Sequence, residues 1–183
     1  MNCTSHIFRL PIITFAMQQS TQSLNASMLR SLFIEQLSIL YNAKMSLTNR
    51  LPALADQATF KNLKMALQED LDDTNRQMTA VKKIFNLMQE SWLTNNCLGI
   101  NAVIEEAHNQ VTFNRQNHFG SDMSILFYMS VIENLQVGAS QMLHLIALKL
   151  AYKPYAELVE ECLDAVKDNS SLFYYVTEEY LQQ

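Results

Sequence analysis

The chain of 183 residues contains 3 glycines and 3 prolines, whereas average usage would supply about 22 residues of these two types. This shortage disfavours turn-rich β architectures, because hairpins and tight turns depend on such residues. A hydrophobic content of 49% excludes a disordered chain, since burying that much apolar surface offsets the entropy lost on ordering. The net charge of −5 argues against a nucleic-acid partner, because such partners are bound by basic surfaces.

The three cysteines give little sign of covalent or metal cross-linking. Cys3, Cys97 and Cys162 are odd in number and have no CxxC spacing, so neither a disulfide framework nor a zinc knuckle is indicated. A reducing, cytoplasmic location is therefore expected.

Residues 1–22 are predicted to be a poorly ordered extension that precedes a helical domain over residues 23–183. Residues 7–16 are apolar enough for a signal peptide, but Arg9 and Pro11 interrupt them and no A-x-A exit follows. Met17 is an alternative start of translation.

Five segments show the periodicity of helices, and almost none shows sustained alternation. The predicted helices cover residues 26–55, 59–90, 101–116, 122–151 and 154–181. Their expected N-caps are Asn25 or Ser27, Thr59 or Asp56, and Ser121, with Pro154 opening the last helix. Gly99 and Gly120 are expected in loops, and Pro52 is expected to bend the end of the first helix. Four long helices and one short crossing helix predict an all-α bundle.

The first two helices carry apolar seams, whose residues recur every three or four positions as in helical bundles. The first seam comprises Phe33, Leu37, Leu40, Leu47 and Leu51, with Lys44 occupying one of its positions. The second comprises Leu63, Leu67, Leu71, Thr74, Met78, Val81, Phe85 and Met88.

The fourth helix is apolar on most faces, and Glu133 is its only formal charge between Met123 and Leu148. Polar residues interrupt it too often for a good membrane span. One narrow face carries Glu133, Gln136, Ser140 and His144. This polar strip is predicted to face the bundle interior, and the outer apolar face is expected to meet a second subunit.

Lys44 is a charge in an otherwise apolar seam, and Glu133 is a charge on an otherwise apolar helix. The two side chains are therefore candidates for an ion pair. Burying either ion alone costs several kcal/mol, so we expect Lys44 to bind Glu133. The alternative is that Lys44 extends to solvent and that water reaches Glu133.

Several segments, from about residue 29 to residue 175, resemble the small bacterial ferritin-like proteins of the YciE and YciF group. They include LFIEQLSILYNAKMSLTNRLPALA, LQEDLDDTNRQM, CLGINAVIEEAHNQV, VIENLQVGASQMLHLIALKLAY and LVEECLDAVKDNS. The resemblance implies a ferritin-like four-helix bundle with a dinuclear metal site, usually discussed as iron-binding, an association with stress responses, and dimers.

The resemblance also implies which residues of this chain occupy the positions of the family's metal ligands, and several of these residues are not metal ligands. By resemblance, the first-helix glutamate falls on Lys44, and the second-helix Glu-x-x-His falls on Asp72 and Asn75. The core-helix glutamate is kept as Glu133 with Gln136 as its partner position, and Glu161 remains in the last helix.

The sequence therefore predicts a ferritin-like protein whose metal site has decayed and which has no cofactor. A lysine ammonium repels a divalent ion, and iron needs anionic and imidazole ligands in number. The expected protein is a non-enzymatic, stress-associated structural or interaction protein, homodimeric, with no membrane span and no nucleic-acid partner. The alternative is a residual iron or manganese protein with oxidation activity that uses Asp72, Glu133, Glu161 and His144.

Overall fold

The computed structural model describes residues 25–94, 97–114 and 116–182. These residues form five helices and no strand: α1 Ala26–Gln57, α2 Lys61–Met88, α3 Leu98–Phe113, α4 His118–Lys149 and α5 Lys153–Leu181. The prediction of an all-α chain with four long helices and one short one is confirmed. The predicted extension over residues 1–22 lies outside the described residues.

The four long helices pack in a closed ring. Helix α1 contacts α2 and α4, and α5 contacts the same two helices from the other side. The short helix α3 packs against α4 and α1. The arrangement leaves a core between the four long helices, to which α3 adds Ile104 and Val111 from outside the ring. Within the described residues, no helix is both long enough and apolar enough to cross a membrane.

The N-cap of α1 agrees with the prediction, whereas that of α4 differs from it. Asn25 caps α1 as predicted, because its side chain accepts a hydrogen bond from the Ser27 amide at 3.0 Å. The prediction of Ser121 as the α4 cap is wrong, since Asn117 caps a helix that begins earlier and includes Gly120. Left-handed residues follow α2 and α4, but they are Gln89 and Ala151 rather than glycines.

Pro52, Pro154 and Gly99 lie inside helices. Helix α1 continues through Pro52 to Gln57, so this proline does not end the helix. Pro154 lies in the first turn of α5, as predicted. Gly99 lies in α3 rather than in a loop.

The bundle core consists of two separate apolar clusters. The first apolar cluster includes Leu47, Leu51, Leu63, Leu67, Met129, Ile132, Phe173 and Val176. The second apolar cluster includes Phe33, Leu37, Tyr41, Val81, Phe85, Leu143, Val159 and Cys162. In each long helix the two clusters occupy different stretches, so a slab of the bundle between them is left to other side chains.

Candidate functional site: a polar layer in the bundle core

Polar side chains fill the slab between the two apolar clusters. All four long helices contribute to this polar layer, and every member is at most 3% exposed. Its members are Lys44 of α1, Asp70, Thr74 and Gln77 of α2, Glu133, Gln136 and Ser140 of α4, and Asn169 of α5. Because buried polar groups cost free energy unless they are paired, their hydrogen bonds decide what the layer can do.

Lys44 is the cation of the polar layer and has no solvent exposure. Its Nζ donates to the side-chain oxygens of Gln77 and Gln136. Gln136 in turn donates through Nε2 to Glu133 Oε1 at 2.7 Å. The ammonium and the Glu133 carboxylate are thus joined through an amide, so the predicted direct pairing is wrong in form. The alternative, in which Lys44 reaches solvent, is also wrong.

Asp70 is a second buried carboxylate in the layer. Its Oδ1 accepts from Asn169 Nδ2 at 2.7 Å and from Thr74 Oγ1 at 3.4 Å. Its Oδ2 has no hydrogen-bond partner, and neither has Oε2 of Glu133. Each carboxylate of the layer therefore keeps one buried oxygen free.

Burial dominates the electrostatics of the layer. Desolvation lowers the pKa of Lys44, although Glu133, Cys162 and Asp70 oppose the shift. Desolvation raises the pKa of Asp70 to about 6, against the pull of Lys44. Desolvation, with the nearby charge of Asp70, raises the pKa of Glu133 well above its ordinary value. One cation faces two acids, so the layer favours holding a proton on its carboxyl groups.

The structure brings together only part of the predicted site. Lys44, Glu133 and Gln136 share the polar layer, and the prediction that α4 turns its polar strip inward is confirmed for Ser140 too. The expectation that Asp72, Asn75 and Glu161 lie with them is wrong, because all three are exposed. Asn75 instead donates to the Leu71 carbonyl oxygen of its own helix at 2.9 Å. His144 is half-buried, and its Nδ1 has no hydrogen-bond partner.

Asp70 and Gln77 of α2, with Asn169 of α5, are the members of the layer that were not predicted from the sequence. The buried residues of α2 follow a heptad pattern, with Leu63, Asp70, Gln77 and Ile84 in one row and Leu67, Thr74, Val81 and Met88 in the other. That spacing places both polar residues on the inner seam of the helix. The predicted seam instead contained their neighbours in the sequence, Leu71 and Met78, and both of these are only half-buried.

The layer does not fit a dinuclear divalent-metal site. No three His, Cys, Asp or Glu side chains of residues 25–94, 97–114 and 116–182 are grouped so that they could hold a metal ion. The layer contains two carboxylates, no imidazole and an ammonium group, whereas divalent first-row metals require anionic or imidazole ligands in number. An ammonium among the ligands repels the ion they would hold.

The described residues thus define a class of protein: an all-α bundle with a lysine-centred polar layer in its core. The family described as "Domain of unknown function (DUF892)" matches residues 28–183. The chain belongs to this family.

Known relatives agree with this assignment and with the resemblance to the YciE and YciF group. The protein YciF of Escherichia coli strain K12 is 23% identical over 145 residues, which are 79% of this chain and 87% of that protein.

Two solved structures share the fold. One, described as the E. coli stress protein YciF, has a TM-score of 0.80 and 22% identity, covering 85% of this chain and 98% of that chain. The other, YcfI, described as a putative structural protein from Rhodopseudomonas palustris, has a TM-score of 0.76 and 20% identity, covering 83% and 96%.

Proposed function

We propose that this protein is a non-enzymatic, metal-free ferritin-like bundle in which Lys44 supplies the positive charge that a metal pair would otherwise provide. The observation that carries the proposal is the complete burial of Lys44 between Gln77 and Gln136, in the same layer as two carboxylates. A fixed cation at this place stabilises the carboxylates without any exchangeable ion. The bundle then serves as a scaffold rather than as a redox centre.

The role of the scaffold is a stress-associated structural or interaction role in the cytoplasm. Support comes from the two relatives described as a stress protein and as a putative structural protein. Cys97 and Cys162 are both free, buried thiols, which suits a reducing compartment.

The outer face of α4 is the surface through which we propose that two copies associate. Phe127, Met142 and Leu145 are each about 60% exposed, and Leu135 is 42% exposed. They lie at helical spacing along one side of α4. Exposed apolar patches of this kind mark interaction surfaces.

Elemental analysis tests the metal-free state. The protein is purified after growth with added iron and, separately, with added manganese, and its metal content is measured per chain. The proposal expects far less than one ion per chain in both preparations. Stoichiometric metal that survives gel filtration would overturn it and would favour the alternative metalloprotein.

A substitution at Lys44 tests whether its charge takes the place of a metal. Lys44→Glu removes the ammonium and adds a third carboxylate to the layer, so we expect divalent ions to raise the melting temperature of this variant but not that of the wild type. Lys83→Glu, at an exposed position of α2, is the matched control and should gain no such response. Equal metal responses in the two variants would contradict the proposed role of Lys44.

Sedimentation velocity tests the proposed association. The wild type is expected to sediment as a dimer, and Met142→Glu should shift it to monomer, because a charge would be buried in the interface. Met65→Glu is the control, since Met65 is similarly exposed on α2. A monomeric wild type, or a dimer that tolerates Met142→Glu, would refute the assigned surface.

A further inference from the structure

The outer face of α4 is uncharged over most of its length. Its residues at helical spacing include Phe127, Val131, Asn134, Gly138, Met142 and Leu145. Lys149, at the end of the helix, is the only charged residue on this face from Phe127 onward. Between these two residues the face is about 33 Å long, at about 1.5 Å per residue. An exposed apolar face of this length is typical of a surface that contacts another protein.

The first half of the face contains a hollow, here named the α4 hollow. It has a volume of about 420 Å³ and is lined by Phe127, Ser130, Val131, Asn134 and Leu135, all of them residues of α4. The first four stand at positions i, i+3, i+4 and i+7. In knobs-into-holes packing, four residues with this spacing form the hole that receives a side chain of a facing helix. The hollow therefore fits a side chain that projects from a second helix.

The second half of the face provides projecting apolar side chains. Met142 and Leu145 are each 60% exposed. One half of α4 thus presents a hole, and the other half presents knobs of the kind that such a hole accepts. In a two-fold symmetric dimer each copy uses the same surface, so both parts of the contact must lie on one chain. A second copy of α4 meets this condition.

Gly138 is the midpoint of the face, because Phe127 precedes it by 11 residues and Lys149 follows it by 11. It is exposed, and a Cβ atom added to it would meet nothing within 4 Å apart from its chain neighbours and its own helix backbone. Packing within the chain therefore does not require a glycine here, although glycine is a poor helix former. A glycine on an exposed face lets another backbone approach closely. The midpoint of the face is thus the point at which a second helix can come nearest.

Lys149 determines which orientation of two facing α4 helices is favourable. In a parallel pair the two Lys149 ammonium groups lie at the same end of the interface and repel each other. In an antiparallel pair centred on Gly138, each Lys149 lies beside the ring of Phe127 in the other copy, and an ammonium group is attracted to an aromatic ring. The same register places Leu145 opposite Val131, in the α4 hollow.

We propose that two copies of this chain pair through α4 in an antiparallel arrangement that crosses at Gly138. Leu145 of each copy fills the α4 hollow around Val131 of the other copy. This pairing rests on the association proposed above, and it adds the orientation and the register of the two helices.

Disulfide cross-linking between two cysteine variants tests the orientation. Val131→Cys and Leu145→Cys are each combined with Cys3→Ser, and the remaining thiols, Cys97 and Cys162, are buried. In the proposed pair, position 131 of one copy faces position 145 of the other. The two copies of position 131 are 14 residues or about 21 Å apart along the helix, beyond the roughly 7 Å between Cα atoms that a disulfide spans. Oxidation of an equal mixture should therefore give a covalent dimer, and oxidation of either variant alone should not.

The other outcomes separate this pairing from the association itself. Covalent dimers of either variant alone would show parallel pairing and overturn the proposal. A mixture that sediments as a dimer but forms no cross-link would also overturn it, while leaving the association through α4 intact. A monomeric wild type would refute the association and the proposed pairing with it.

Gly138→Leu tests the close approach at the crossing point. The added side chain lies between the two helices, so the dissociation constant of the dimer should rise about tenfold or more. The monomer should keep at least the wild-type melting temperature, because the side chain has open space and leucine is a better helix former. Gly99→Leu is the matched control and should leave the dissociation constant unchanged, since Gly99 is also exposed in a helix with open space around its Cβ position. An unchanged dissociation constant in Gly138→Leu would overturn the crossing at this residue.

Discussion

Two regions of the core treat buried carboxylates in opposite ways. Asp122, at the start of α4, is fully buried and accepts from the Thr59 and Phe60 amides at 2.9 Å. It also accepts from the Thr59 hydroxyl at 2.6 Å and from the Tyr180 hydroxyl at 3.2 Å. Asp70 and Glu133 in the polar layer are equally buried, yet each keeps an oxygen with no partner.

The difference lies in how far hydrogen bonds compensate each carboxylate for the water it loses on burial. Four donors around Asp122 compensate its desolvation, so it stabilises the turn between α1 and α2. In the polar layer Asp70 has two side-chain donors and Glu133 has one, and burial raises the pKa values of both carboxyl groups in spite of Lys44. Burying these two carboxyl groups therefore costs more free energy than burying Asp122, because fewer donors replace the lost water.

Removing the lysine should have the largest effect. Lys44→Met leaves the Asp70 carboxylate buried without a cation and removes the donor to Gln77 and Gln136, and breaking a buried ionic group in this way costs about 3–5 kcal/mol. Urea denaturation of the variant should show this loss in the free energy of unfolding. Lys83→Met, at an exposed position, should stay close to the wild type. A loss below about 1 kcal/mol for Lys44→Met would mean that the carboxyl groups do not depend on the ammonium.

Asp122→Ala should rank second. It leaves two backbone amides and the Thr59 hydroxyl at the start of α2 without their acceptor, and losing the acceptor that caps a helix start costs about 0.5–2 kcal/mol. The control is Asp56→Ala, at the exposed residue that the sequence reading offered as a cap for α2, which should change the free energy of unfolding by less than about 0.5 kcal/mol. Similar losses in the two variants would contradict the assigned role of Asp122.

The third-largest expected effect is a pH dependence of stability that arises in the polar layer. Asp70 has a folded-state pKa of about 6 against an ordinary value of 3.8, so between these values the folded state binds more protons than the unfolded state. Its contribution to stability therefore falls as the pH rises from about 4 to 6 and is constant above. Asp70→Asn removes this dependence.

The measurement is the difference in unfolding free energy between Asp70→Asn and the wild type at several pH values. This difference should move in favour of the variant as the pH rises through that window. Asp168→Asn, at an exposed position of α5, should follow the wild-type profile. A difference for Asp70→Asn that is constant from pH 4 to 7 would show that Asp70 ionises normally.

Glu133→Gln should have the smallest effect. Burial raises the pKa of Glu133 well above its ordinary value, so a neutral amide imitates the protonated carboxyl group in size and charge. We expect a change in the free energy of unfolding within about 1 kcal/mol, measured beside Lys44→Met. A loss as large as that of Lys44→Met would show that Glu133 is the ionised partner of the lysine.

The sequence predicts the parts of the site that contrast with their surroundings. Lys44 and Glu133 stand out because each is a charge among apolar residues at helical spacing, and both are buried as expected. Asp70 and Gln77 do not stand out, since Leu71 and Met78 lie next to them and offer an apolar seam of similar spacing.

The cap of α2 could not be predicted from local sequence. Helix-capping rules look within a few residues of the helix start, and Phe60 provides no side-chain cap. The acceptor is Asp122, more than 60 residues further along the chain. Only the packing of α4 beside the turn brings the two together.

The same distance along the chain has a consequence for how the protein is made. When α1 and α2 leave the ribosome, the residue that completes the turn between them has not been synthesised. The helical hairpin must wait for α4 with two amides bound only to water, since local contacts form before distant ones. The turn between α1 and α2 is therefore expected to become stable only after the start of α4 has emerged.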